Sequence, residues 1–307
     1  FRQDAVRVAA ELGRRLEGLQ RARGGGELDV NLLCQSNGAH VCRYYAKYGA
    51  ATLAEAEAGK VRRPAGLRVA KIVLVGTAND GSLRALRELD RGRHYLPRFG
   101  LGRSWQPEIV FTFRSVFQEL PGRGQDRFLD EEGRTLDVDL WSAQDWLRYG
   151  WSVWSPEAER RLRRRARTDL FSDDEARRSY LERQLEGARR FRRVLQQDSA
   201  SFTTQAYLLI QNSDRPTPTR ALLIRENGRW HTLFAGDPEL RTLAEDVQEK
   251  LTAAGDGHAT VESQRRLSSQ ERKVLAGPPV EVTGSHFGVI HDPEGHRALL
   301  TFLDRTR

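Results

Sequence analysis

The run Leu32-Leu33-Cys34-Gln35-Ser36-Asn37-Gly38-Ala39 takes the chain from an apolar segment, through a turn-forming triplet, into a stretch that favours helix. A short strand is expected over Leu28–Cys34 and a helix over Val41–Tyr48, so Ser36 stands at a strand-to-helix turn. Serine nucleophiles are presented this way in the pattern G-x-S-x-G, where a strained turn brings the strand and helix backbones close and calls for small residues on both sides. Gly38 meets the second small position. Cys34 occupies the first, and it is small but carries a side chain. Alone, the pentapeptide reads equally well as an ordinary turn with a capping serine.

Working outward, Val6, Ala9, Leu12, Leu16 and Leu19 recur at helical spacing and predict a helix over Asp4–Arg23, which Gly24-Gly25-Gly26 stops. Val69–Val75 is a strongly β-branched strand, and the alternation of strand, helix and strand implies a parallel sheet. From Leu83 to about Phe202 the pattern turns helical and irregular. Trp141, Trp146, Trp151 and Trp154 lie there, as do two helix starts, Ser155-Pro156 and the capping box Ser172-x-x-Glu175. Strand-like segments return at Ala206–Ile210, Ala221–Ile224 and Val280–Thr283, and a helix closes the chain near Gly295–Leu303. The expected organisation is an α/β core made of residues 1–82 and 206–307, with a helical insertion at 83–205.

Composition bounds the function. The 307 residues carry a net charge of +8, almost all of the positive charge from Arg, since Lys47, Lys60, Lys71, Lys250 and Lys273 are the lysines. Between Pro156 and Asp198, 13 Arg stand among 9 acidic residues, a solvated mixed-charge face more than a polybasic patch, and no nucleic-acid motif accompanies it. No apolar stretch approaches the roughly 18–20 residues that span a bilayer. Cys34 and Cys42 match neither zinc nor C-x-x-C spacing and are read as small buried thiols. The chain opens at Phe1 and contains no Met. An upstream segment is therefore expected, and localisation cannot be read.

Downstream of Ser36 come Gly255-Asp256-Gly257-His258 and Gly284-Ser285-His286. The order Ser, Asp, His is that of α/β-hydrolases, where acid and base ride on loops after late strands. In that chemistry Ser36 attacks a carbonyl, His286 takes its proton, Asp256 orients the imidazole, and the Asn37 N–H serves as one oxyanion donor. Asp214 is the rival acid and His258 the rival base. His40 reads as a helix residue. His291, Asp292 and His296 fit a metal site poorly, because a spacing of five misplaces the two rings on a helix. No metal or cofactor is expected.

Several segments together resemble the lecithin:cholesterol acyltransferase-like family. Phe1-Arg2-Gln3-Asp4 resembles the end of its Tyr-Asp-Trp-Arg segment. Gly76–Ser82 resembles its G-[TA]-P-x-x-G-S loop with Ala78 in place of Pro, and Pro216-Thr217-Pro218-Thr219-Arg220 is similar to a Pro-Thr-rich turn. Gly255-Asp256-Gly257 with Val261 and Ser263, and Gly284-Ser285-His286 with Val289, resemble the acid and histidine loops. The resemblance implies an α/β-hydrolase fold with a helical lid at 83–205. It also implies further strands and a second oxyanion donor before Phe1, without which the chain alone is expected to be poorly soluble or inactive. Its implied activity is lipid acyl-ester chemistry through acyl-Ser36, as an O-acyltransferase or a lipase-type esterase, with transient contact at membrane surfaces and no nucleic-acid partner. The alternative is an inactive protein of the same fold that binds lipid or a partner.

Overall fold

A computed structural model describes residues 3–94, 104–122, 126–165 and 173–304. Phe1-Arg2 of the opening segment and Ser172 of the expected capping box lie outside them. The chain divides into two compact units. One comprises Gln3–Asp80, Arg190–Thr217 and Ala254–Arg307; the other is built mainly from Gly81–Arg189 and Pro218–Ala253.

The first unit is a mixed α/β assembly around a four-stranded parallel sheet. Its strands are β1 (Leu28–Gln35), β2 (Leu67–Val75), the strand Ala206–Gln211 and the strand Val280–Glu281, side by side in chain order. The unbroken apolar runs of β2 and Ala206–Gln211 follow from burial on both faces. Ile72, Leu74, Tyr207 and Leu209 point into a core shared with the helices α1 (Ala5–Ala22) and α2 (Gly38–Tyr48). Val73, Val75, Leu208 and Ile210 point the other way, against Val289 and Phe302 of the C-terminal region. β1 lies at one edge of the sheet, and Leu33 on it is 52% exposed.

Local chemistry explains the helix ends. Asp4 caps α1 by accepting from the Arg7 N–H at 2.9 Å, and the three glycines after it all have positive φ. Asp292 caps the closing helix, Pro293–Asp304, through the N–H groups of Glu294 and Gly295. At Asp174–Gln196 the cap is Asp173, which accepts from Glu175 and Ala176.

The second unit differs in part from the sequence reading. Residues Pro218–Ala253 cluster with Gly81–Arg189 and not with the parallel sheet. The reason is strand pairing. Ala221–Glu226 folds back on Arg229–Phe234 through Asn227-Gly228, both at positive φ, and its other edge pairs with Phe128–Leu129. The strand expected at Ala221–Ile224 is present, but it belongs to this small sheet. Trp146 and Trp151 are buried in the unit's aromatic core, and the Trp151 indole N–H donates to Thr232 Oγ1 at 2.7 Å. Among the described residues no helix is long and apolar enough to cross a membrane.

Candidate active site

Ser36 follows β1 by one residue and has φ +52°, a left-handed backbone rare for a residue with a side chain. Its N–H donates to Val75 O at 3.1 Å, extending the β1–β2 register one step past the strand. α2 begins two residues later, with the carbonyls of Ser36 and Asn37 accepting from Ala39 and His40. Asn37 is the N-cap of α2, so its N–H lies at the helix start, where backbone donors have no partner within the helix.

The fold brings three distant side chains to this turn. His286 Nε2 lies 2.7 Å from Ser36 Oγ, and His286 Nδ1 lies 2.8 Å from Asp256 Oδ2. With a carboxylate against Nδ1, that nitrogen carries the proton, and Nε2 accepts from the serine hydroxyl. Asp256 and His286 are buried at 1% and 2% exposure, so solvent does not compete for these bonds. The acid is held firmly. Its Oδ1 accepts from the N–H groups of His258 and Ala259 at 2.8 and 2.7 Å, and its carbonyl accepts from the His286 N–H at 3.0 Å.

Two glycines permit this packing. A Cβ on Gly76 (φ +53°) would come 3.0 Å from Val289 Cγ2 and 3.3 Å from Asp256 Oδ2. A Cβ on Gly255 would meet Ala259 O at 2.3 Å and Thr217 Oγ1 at 2.5 Å. Gly38, expected to be small because backbones crowd there, is in open space among the described residues.

The expectation of free thiols at Cys34 and Cys42 is overturned. The two form a disulfide, with Cα atoms 6.5 Å apart. Strand and helix double back at Ser36, which places the end of β1 beside the second turn of α2. Spacing alone does not reveal that proximity.

Of the other candidates, Asp214, His40 and His296 make contacts of their own, and His258 lies beside His286. Asp214 pairs with Arg215 at 3.6 Å and accepts weakly from the Gly284 N–H at 3.5 Å. His40 is buried with Nε2 3.1 Å from Ala78 O, and burial, with the Arg192 and Arg43 charges, pushes its pKa down to about 3. His296 Nε2 lies 2.6 Å from Ile290 O, while Asp292 is engaged in capping. His258 stacks on His286, with ring centroids 4.1 Å apart at 10°. Asp256, His258 and His286 hold ligand-type atoms within 4.8 Å of one another. Ring-nitrogen lone pairs lie in the ring planes, however, and two parallel planes give a cation no common point of attachment.

Thr77, Asn79 and Asp80 brace the acid loop. Asn79 Nδ2 donates to Thr77 Oγ1 and Gln264 O, and the Asp80 N–H donates to Ser263 Oγ. Gln264 in turn donates to Ala259 O at 3.0 Å and Asn212 O at 2.9 Å. Behind α2, Arg43, Lys47 and Glu271 form an ion cluster with no exposed side chain. The sequence reading did not single out Gln264 or this cluster, although Ser268-x-x-Glu271 carries a capping-box signature.

No family model matches the sequence, and no curated protein does. Among solved structures it is similar to a chain of the crystal structure of the Tle4–Tli4 complex, with a TM-score of 0.63 at 13% sequence identity. What is shared is the fold. The match covers 98% of this chain and 66% of the other, so this chain spans about two thirds of that neighbour's length.

Proposed function

We propose that the chain is an α/β-hydrolase whose Ser36 forms an acyl-enzyme from a carboxylic ester, with His286 as general base and Asp256 as its orienter. One observation carries the reading: hydroxyl, imidazole and carboxylate stand in line at 2.7 and 2.8 Å, beginning from a serine in left-handed backbone at a strand-to-helix turn. As Ser36 Oγ attacks the carbonyl carbon, its proton passes to His286 Nε2, and Asp256 stabilises the imidazolium. The tetrahedral oxyanion takes the Asn37 N–H as one donor. Nε2–H then protonates the departing alcohol, leaving acyl-Ser36 for water or a second alcohol to release. The acceptor decides between an esterase or lipase and an O-acyltransferase, and the lecithin:cholesterol acyltransferase-like resemblance favours a lipid acyl donor.

The experiment is hydrolysis of p-nitrophenyl esters of increasing chain length, with quenched samples examined by intact-mass spectrometry. An acyl mass increment on the Ser36 peptide is expected, lost in Ser36→Ala. Turnover that survives Ser36→Ala overturns the assignment.

A further inference from the structure

We propose that the Cys34–Cys42 disulfide positions Ser36 and makes the ester chemistry conditional on oxidation; this rests on the reading of Ser36 as nucleophile. Cys34 is the last residue but one of β1 and Cys42 the fifth of α2, so the cross-link closes a short loop with Ser36 inside it. The left-handed φ of Ser36 is held only while its surroundings over-determine it. Three backbone hydrogen bonds, each 3.1 Å, contribute: Ser36 N to Val75 O, Ala39 N to Ser36 O, and His40 N to Asn37 O. A Cβ at Gly38 would meet nothing within 4 Å, so close approach at that position is not what fixes the turn. The disulfide is the covalent restraint on the turn, and it stands where the G-x-S-x-G pattern has its first glycine.

The base does not share this restraint. His286 is fixed by Asp256, through side chain and backbone alike. Opening the disulfide therefore lets the nucleophile move while its base stays, and a displacement of about 1 Å costs about 10²-fold in rate.

Reduction would proceed by thiol–disulfide exchange. A thiolate of a cellular dithiol attacks the Cys42 sulfur, the more exposed of the two at 8% against 2%. The mixed disulfide is resolved by the reductant's second thiol. The chain gains two electrons and two protons as two thiols, and the reductant leaves as its own disulfide. In a reducing compartment the serine turn then loses its covalent restraint and is held by hydrogen bonds alone, and where thiols are oxidised it is set for attack.

The test uses the whole chain and a fluorophosphonate probe, with the thiol state read by alkylation mass and folding by circular dichroism. Complete reduction is expected to lower kcat and the labelling rate at least tenfold, with KM within about twofold and recovery on reoxidation. The Cys42→Ser variant should show the low rate with or without reductant. Full-rate labelling of folded chain with both thiols alkylated overturns the proposal. If reduction unfolds the chain, Cys34→Ala/Cys42→Ala decides: labelling per folded molecule equal to oxidised wild type overturns it, and a tenfold deficit supports it. An oxidised, folded wild type that never labels at Ser36 brings down the ester reading and this inference together, whereas labelling indifferent to reduction removes this inference alone.

Discussion

Replacing Glu271 by Gln tests what holds α2 behind the Ser36 turn. The Glu271 carboxylate accepts from Arg43 Nε and Nη2, both at 2.8 Å, and from the Ser268 N–H at 2.8 Å, with Lys47 Nζ 3.5 Å away. All three charged side chains are fully buried. Burial raises the carboxyl, but the Arg43 charge and hydrogen bonds more than reverse this and bring its pKa down to about 2. Burial pushes Lys47 down to about 8 against the pull of Glu271, so Lys47 sheds its proton easily once the carboxylate is gone. Arg43 cannot. Glu271→Gln leaves that guanidinium buried without its paired carboxylate, which costs about 3–5 kcal/mol, a fifth or more of a typical total stability of about 5–15 kcal/mol. Urea unfolding would show the loss, and hydrogen exchange would localise it to α2 and the helix Ser269–Lys273. Arg43→Met/Glu271→Leu, which removes both charges, should recover at least about 2 kcal/mol relative to Glu271→Gln. A Glu271→Gln protein within about 1 kcal/mol of wild type, or a double variant no better than the single, refutes the reasoning. The pH dependence has opposite signs at the two groups. The Glu271 contribution is full above the unfolded pKa near 4.5 and disappears as pH falls toward 2. At Lys47 the lowered pKa means that stability rises between about pH 8 and 10.5, where the folded state has already given up the proton.

Three further outcomes are expected. Asp256→Asn should lower kcat by about 10⁴ with the fold intact, because the amide favours the wrong tautomer of His286; ester kinetics beside circular dichroism measure this, and a loss below tenfold contradicts it. Gly255→Ala, whose Cβ would meet the Ala259 carbonyl at 2.3 Å, should lower both the melting temperature and kcat, since that carbonyl accepts from the Asp256 N–H. In the other unit, burial raises the pKa of Asp90, on the wall of a cavity of about 430 Å³, to about 6. Its folded pKa lies above the unfolded 3.8, so its contribution is present below about pH 4 and lost as pH rises through 6. Asp90→Asn should therefore gain up to about 3 kcal/mol at pH 7 over wild type, at roughly 1.4 kcal/mol per pH unit between the two pKa values, and show a flatter stability profile between pH 4 and 6.

The elements around Ser36 were legible because local chemistry dictates them. β-branched residues at Val69–Val75, Asp4 before an amphipathic run, and Asp292-Pro293 each act within a few residues of where they stand. The approach of His286 to Ser36 was legible through chain order, since loops after parallel strands of one sheet emerge on one side; Asp256 instead follows Thr252–Gly255, which pairs with Arg215–Pro218 outside that sheet. What was not legible depends on long-range pairing. Ala221–Ile224 reads as a strand from its residues, but its partners, Phe128–Leu129 and Arg229–Phe234, are set by tertiary contact; Asn227-Gly228 was the available hairpin signal. The Cys34–Cys42 bond required the turn at Ser36 to be known first. Glu271 stands in a polar segment with no local mark of burial, and only the buried Arg43, 228 residues away in sequence, gives it its role.

The central claim is tested most directly by the site and rate of fluorophosphonate attachment to the oxidised, folded chain. One adduct per molecule is expected, located by peptide mass spectrometry on Ser36, absent in Ser36→Ala and slowed at least 10³-fold in His286→Ala. An adduct on another residue, or one that forms on Ser36 at the same rate without His286, would contradict it.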